Sequence, residues 1–170
     1  MNDEKGQLSG EYMLLVGSLI VVLMISIFMI ANENELNIAM AAAKSGADEG
    51  VASSSSAIYP KETFNEYDDM EGLKHPYSVS IVNVSYNSSG IDENYGKQKI
   101  QFKVYAKASA DYNKKELDSI GDRINYNLRK SVAMSFNTAD STNKLYNPVF
   151  SNNYVFTTAN VVSVSYTHLR

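Results

Sequence analysis

Cysteine and tryptophan are both absent from this chain. Without cysteine there is no disulfide and no thiolate metal site, so the fold must rest on packing and hydrogen bonding. Histidine occurs only as His75, ahead of Pro76, and as His168, close to the C-terminus. Two isolated imidazoles make no cluster for metal binding or general-base work. There is no Gly-rich phosphate loop, no H-E-x-x-H pair and no serine-centred elbow. The sequence therefore points away from an enzyme, and no cofactor or metal is expected. The net charge of −4 leaves no basic footprint for nucleic acid.

Long hydrophobic runs are also scarce, with one exception. Tyr12 to Ala31 is uncharged and rich in Leu, Ile, Val and Met. About 20 residues at about 1.5 Å rise span about 30 Å, the thickness of a bilayer core. A small globular domain has no use for such a block. A single carboxylate, Glu11, sits directly before the run, and before it lie Lys5-Gly6-Gln7 and Ser9. An ionised carboxylate in hydrocarbon costs several kcal/mol unless it is paired or reaches the interface. A conventional secretory signal fits less well, because its apolar region is about 7–15 residues and its start is basic. Ile30-Ala31-Asn32 is a poor cleavage site, and Ala39-Met40-Ala41 lies well beyond the run. An ordinary membrane anchor is the second alternative.

The segment resembles the class III signal peptide of archaeal type IV pilin-like proteins. That family is cleaved just before a Gln and carries a Q-x-S-x-E-x-x-x-L type core, matched here by Gln7, Ser9, Glu11 and Leu15. The resemblance covers roughly residues 4–30. It implies a leader over residues 1–6, with Lys5 in the peptidase recognition motif, Gly6 as the last leader residue and Gln7 as the mature N-terminus. The implied partners are a prepilin peptidase, the membrane during biogenesis, and further pilin subunits. The implied destination is an extracellular filament. Glu11 would then pair with the new α-amino group of Gln7 in a neighbouring subunit. A slip by one helical turn would leave both charges unpaired in an apolar bundle. Glu11 also suits a helix start for its interaction with the macrodipole, worth about 0.3–1 kcal/mol. Ser9 serves either as a helix cap or in peptidase recognition. Gly17 and Ser18 permit close helix approach, or are ordinary membrane-helix composition. Two features depart from the family pattern: Asp3 and Glu4 make the leader less basic, and Gly10 softens the first helical turn.

The helix is expected to continue to about residue 52. Leu36, Ala39, Met40, Ala43, Ala47 and Val51 recur at spacings of three and four, one face of an amphipathic helix. Gly46 and Gly50 either weaken this end, at about 1 kcal/mol each, or allow close packing. Ser53 to Ser56 ends it, and residues 53–170 form an extracellular head.

Within the head, residues 57–76 read as a loop bearing Glu66, Asp68, Asp69 and Glu71. These acids lack EF-hand spacing, so a solvated loop is the reading. Tyr77–Tyr86 reads as a strand, Asn87–Gly96 as a long loop, and Lys99–Ala108 as a strand with a period of two. The pair suggests a hairpin. Lys99, Lys103 and Lys107 share its outer face, as solvated charges or surface ion pairs. Asn113 and Glu116 have capping-box spacing, with Asp111 as another cap. Leu117, Ile120, Ile124, Leu128 and Val132 then mark a second helix ending near Phe136. Short strands are expected at Tyr154–Thr158 and Val161–Tyr166. The order implies an α+β fold: a long N-terminal helix packed on an antiparallel sheet with a second helix. Asn83-Val84-Ser85 and Asn87-Ser88-Ser89 are N-glycosylation sequons, placed here at a strand end and in a loop. The ending Ser165-Tyr166-Thr167-His168-Leu169-Arg170 resembles a non-native read-through tail.

Overall fold

The computed structural model describes residues 4–52, 79–108 and 112–164, with side chains from Gly10 onward. Ser53 to Ser56, the expected acidic loop with its carboxylates, Tyr77, Asp111 and the tail from Ser165 lie outside the described residues.

The chain forms two compact units, Met1–Asn37 and Ile38–Arg170. The helix α1, Glu4–Ala52, contributes to both. The last part of α1 belongs to the second unit because it has an internal partner. That partner is α2, Lys114–Ser135. Ala39, Ala43 and Ala47 are completely buried, and Gly46 and Gly50 are buried beside them. Gly46 lies against Asn127, Leu128 and Ser131, whereas Gly50 lies against Ile124 and Arg123. As α1 advances, α2 is met in reverse order, so the two helices run antiparallel here. Their backbones come close because the contact stripe of α1 is built of Ala and Gly.

The helix α2 starts where the capping box predicts. The Asn113 side chain accepts from the Glu116 N–H at 2.9 Å, and Glu116 Oε2 accepts from the Asn113 N–H at 2.9 Å. Two backbone donors at the helix start are thereby satisfied. The helix closes at Phe136, whose N–H reaches the Val132 carbonyl. Ile120, Ile124, Leu128 and Val132 are buried as expected. Asn125 and Asn127 are buried too, because α2 has neighbours on more than one side.

The sheet has five strands: β1 (Val79–Asp92), β2 (Lys97–Ala108), β3 (Val149–Phe150), β4 (Tyr154–Thr158) and β5 (Val162–Ser163). The α+β class stands as expected. The sheet, however, is mixed rather than purely antiparallel. β1 pairs with β2 antiparallel and β3 with β4 antiparallel, but β4 and β5 both run parallel to β2. The reason is topological. The path from β2 to β4 passes through α2, and a helical crossover returns the chain in the same direction.

The expected long hairpin loop is also corrected. β1 continues to Asp92, and the turn is only Glu93 to Gly96. Asn87-Ser88-Ser89-Gly90 carries loop-like residues, but a register shift between Ser88 and Ile91 absorbs them, with Gly90 at φ 81°. Gly96, at φ 62°, closes the turn through a 2.8 Å bond to the Asp92 carbonyl.

One sheet face carries Ile100, Phe102, Val104 and Ala106, all buried. Phe102 stacks on Phe156 at 5.6 Å between centroids, and Phe136 stacks on the same ring at 5.8 Å. Two polar groups of α2 hold the return of the chain toward β5. Asn125 donates to the Ala159 carbonyl at 2.9 Å, and Arg129 donates to Thr158 Oγ1 and to the Leu145 carbonyl.

Candidate functional site

The apolar stretch of α1 is described as part of the first unit. Gly10–Ala52 contains a window long and apolar enough to cross a membrane, and none of that window is buried. Leu14 is 77 % exposed and Ile25 is 55 % exposed. Each fully covered side chain of this type is worth about 1.5–3 kcal/mol. Among the described residues, nothing covers this row of side chains.

The serine hydroxyls within the stretch bond to the helix's own backbone. Ser18 Oγ donates to the Leu15 carbonyl at 2.8 Å, and Ser26 Oγ donates to the Val22 carbonyl at 2.9 Å. A continuous helix satisfies its backbone internally, as a bilayer core demands. Gly10 and Gly17 have no atom of another residue within 4 Å of where a Cβ would stand. Their backbone is open to a neighbour, in contrast with Gly46 and Gly50.

Glu11 lies exposed on this helix, directly before Tyr12. The helical backbone of α1 also includes Lys5, Gly6, Gln7 and Ser9, whose side chains lie outside the described residues. At the other end, Asn32, Glu33, Asn34 and Glu35 follow Ala31. Glu11 and Asn32 therefore flank the apolar stretch about 30 Å apart along the axis, matching a hydrocarbon core.

Asn83 and Asn87 are not at a strand end and in a loop. Both lie within β1, exposed, opposite Tyr105 and Gln101 respectively. They share the face opposite Val84 and so point away from the core, at an edge of the sheet. Ser85, the sequon serine of Asn83, is half-buried, with Oγ 3.5 Å from the Lys103 carbonyl.

On the lysine face, Lys99 pairs with Asp92 at 3.8 Å and Lys103 lies 5.3 Å from the Tyr105 ring centroid. A different lysine, Lys97, carries no signal in the sequence. Lys97 Nζ donates to the Ser151 carbonyl at 2.6 Å and stands 5.8 Å from the Phe150 ring centroid. Phe150 in turn meets Tyr95 edge-on at 4.9 Å. No spacing signal links these residues, because they come from the start of β2, the short β3 and the hairpin turn.

Comparison with known protein families, with curated proteins and with solved structures returned no match.

Proposed function

We propose that this chain is a structural subunit of an archaeal type IV pilus-like surface filament, serving adhesion. A prepilin peptidase removes residues 1–6, cutting between Gly6 and Gln7. The subunit resides in the membrane through Tyr12–Ala31 and leaves it when that helix packs among the equivalent helices of other subunits. Exchange of lipid for packed helices gains dispersion and shape complementarity rather than hydrophobic transfer, since lipid tails are as apolar as Leu. The extracellular second unit forms the outer surface of the filament.

One observation carries this reading: an unburied, uncharged, membrane-length helix with a single carboxylate directly before it. Glu11 sits at the interface during the membrane stage, where a charge costs less than at the bilayer centre. In the filament it pairs with the α-amino group of Gln7 from a neighbour and fixes the axial register. Exposed Asn83 and Asn87 on the edge strand are accessible for N-glycosylation.

N-terminal mass spectrometry of the protein taken from its native cell surface tests the proposal. A mature chain beginning at Gln7 supports it, and peptides spanning Asn83 and Asn87 report glycan occupancy in the same experiment. A chain beginning at Met1 favours the alternative, a monomeric single-pass anchored surface protein. A start beyond Ala31 leaves no role for Glu11.

A further inference from the structure

A cleft of about 320 Å³ opens at the end of the second unit, where β2 begins, α2 ends and β3 turns into β4. It is lined by Lys97, Phe136, Thr138, Ser141, Phe150 and Asn152. The volume lies at the lower end of the range for ligand pockets, about 300–1,000 Å³. Three features of the lining differ in chemistry and converge.

The first is an aromatic wall. Phe102, Phe156 and Phe136 stack in one column, with successive rings within 14° and 13° of parallel. Phe102 and Phe156 are fully buried, and Phe136 ends the column, half-buried, at the cleft. Phe136 is thus held rigid by two rings behind it and costs little entropy when a ligand packs on it.

The second is a set of small polar groups. Thr138 Oγ1 donates to the Phe150 carbonyl at 3.0 Å and so keeps its oxygen lone pairs available as acceptors. Ser141 and Asn152 are exposed beside it. A hydroxyl and an amide can each donate and accept.

The third is the charge. Among the described residues that line the cleft, Lys97 is the only one with an ionisable side chain. Lys97 is half-buried, with its ammonium 2.6 Å from the Ser151 carbonyl and 5.8 Å from the Phe150 ring centroid. One of its three N–H donors is used by that carbonyl, which leaves donors for an incoming anion.

An aromatic plane meets the C–H face of a sugar ring, mixed donor–acceptor groups meet its hydroxyls, and a lone ammonium meets a carboxylate. We propose that this cleft binds a carboxylated saccharide, with the uronate carboxylate on Lys97 and the sugar ring against Phe136. This inference concerns the second unit only. It stands or falls separately from leader cleavage and filament assembly.

The test is saturation-transfer NMR on the full-length chain in detergent micelles, using methyl glucuronide and methyl glucoside as probes, with acetate as competitor. The glucuronide should receive saturation from the protein, and the neutral glucoside should bind at least about tenfold more weakly, as expected for loss of one charge-assisted hydrogen bond. Lys97→Met should reduce the glucuronide to the level of the glucoside, and Lys97→Arg should retain the preference. Asn152→Ala, at an exposed position, should weaken both sugars without altering the thermal midpoint. Absence of transfer to either sugar on the wild-type chain would overturn the proposal, whatever the variants do. Equal binding of the two sugars, displacement of the glucuronide by equimolar acetate, or an unchanged preference in Lys97→Met would overturn it as well.

Discussion

A Cβ added to Gly46 would stand 2.5 Å from the main-chain oxygen of Asn127. It would also stand 2.7 Å from Ser131 Cβ and 2.8 Å from Leu128 Cα. These are backbone atoms or atoms next to the backbone, so no flexible side chain can swing aside. The helices α1 and α2 can approach to this distance only because position 46 has no side chain.

Gly46→Ala therefore sets two effects against each other. Alanine favours the helix by about 1 kcal/mol, whereas overpacking costs about 1–3 kcal/mol. With three contacts under 3 Å the overlap wins. Gly46→Ala should lower the thermal midpoint of the second unit, and Gly46→Val should lower it further. Gly50→Ala should be milder, since only Ile124 Cα lies under 3 Å there. A rise in midpoint for Gly46→Ala would refute the close approach.

Glu11→Ala separates the filament reading from the simple anchor. Membrane insertion should persist, because removing a charge makes the helix more apolar. Filament assembly should fail, since the register pairing is lost. Normal filament yield from Glu11→Ala would remove the carboxylate from the mechanism. Gly17→Leu is a companion test. Nothing lies within 4 Å of Gly17 inside the chain, so thermal unfolding of the second unit should not change, and any loss of assembly would report contact between subunits.

Asn113→Ala removes the acceptor of the Glu116 N–H. The expected destabilisation is about 1 kcal/mol, read as a lower denaturant midpoint with an unchanged slope. Glu116→Ala removes the reciprocal bond to the Asn113 N–H. Because the two bonds support each other, the double variant should cost less than the sum of the singles.

Burial holds the Tyr126 phenol above its ordinary value of 10.0; the nearby Tyr146 pushes it the same way, and Arg129 opposes both. The two rings meet edge-on at 5.6 Å. The folded state thus retains this proton where the unfolded state releases it. Stability should fall as pH rises from the unfolded value through the folded one. Tyr126→Phe should flatten this alkaline decline and remove one late phase from the phenolate absorbance titration. An unchanged alkaline profile would show that Tyr126 ionises freely.

The two helices were legible because their signals are periodic and local. The capping box at Asn113 and the apolar positions of α2 place that helix within a residue of its observed start. The uncharged run from Tyr12 announced the membrane-length segment. β4 was likewise placed at Tyr154–Thr158. β3, with two residues, is too short to show a period. The full length of β1 is not legible in the sequence, because Asn-Ser-Ser-Gly is loop-like in composition and only pairing with β2 turns it into a bulge. Asn87 lies within the strand for the same reason.

Some features of this protein follow from sequence alone: the apolar stretch, the carboxylate before it, the absence of thiols, and the two helix periods. Each depends on residues close together in the chain, whose spacing fixes the local geometry. Tertiary structure alone decided the parallel pairing of β4 with β2, the role of Gly46 and Gly50, and the meeting of Lys97 with Phe150 in a cleft that Phe136 also lines. Glycine in a helix reads as weakness until a second helix is seen lying against it. The direction of a strand depends on the crossover that delivers it, and residues from separate elements share a cleft only once the sheet and α2 have packed.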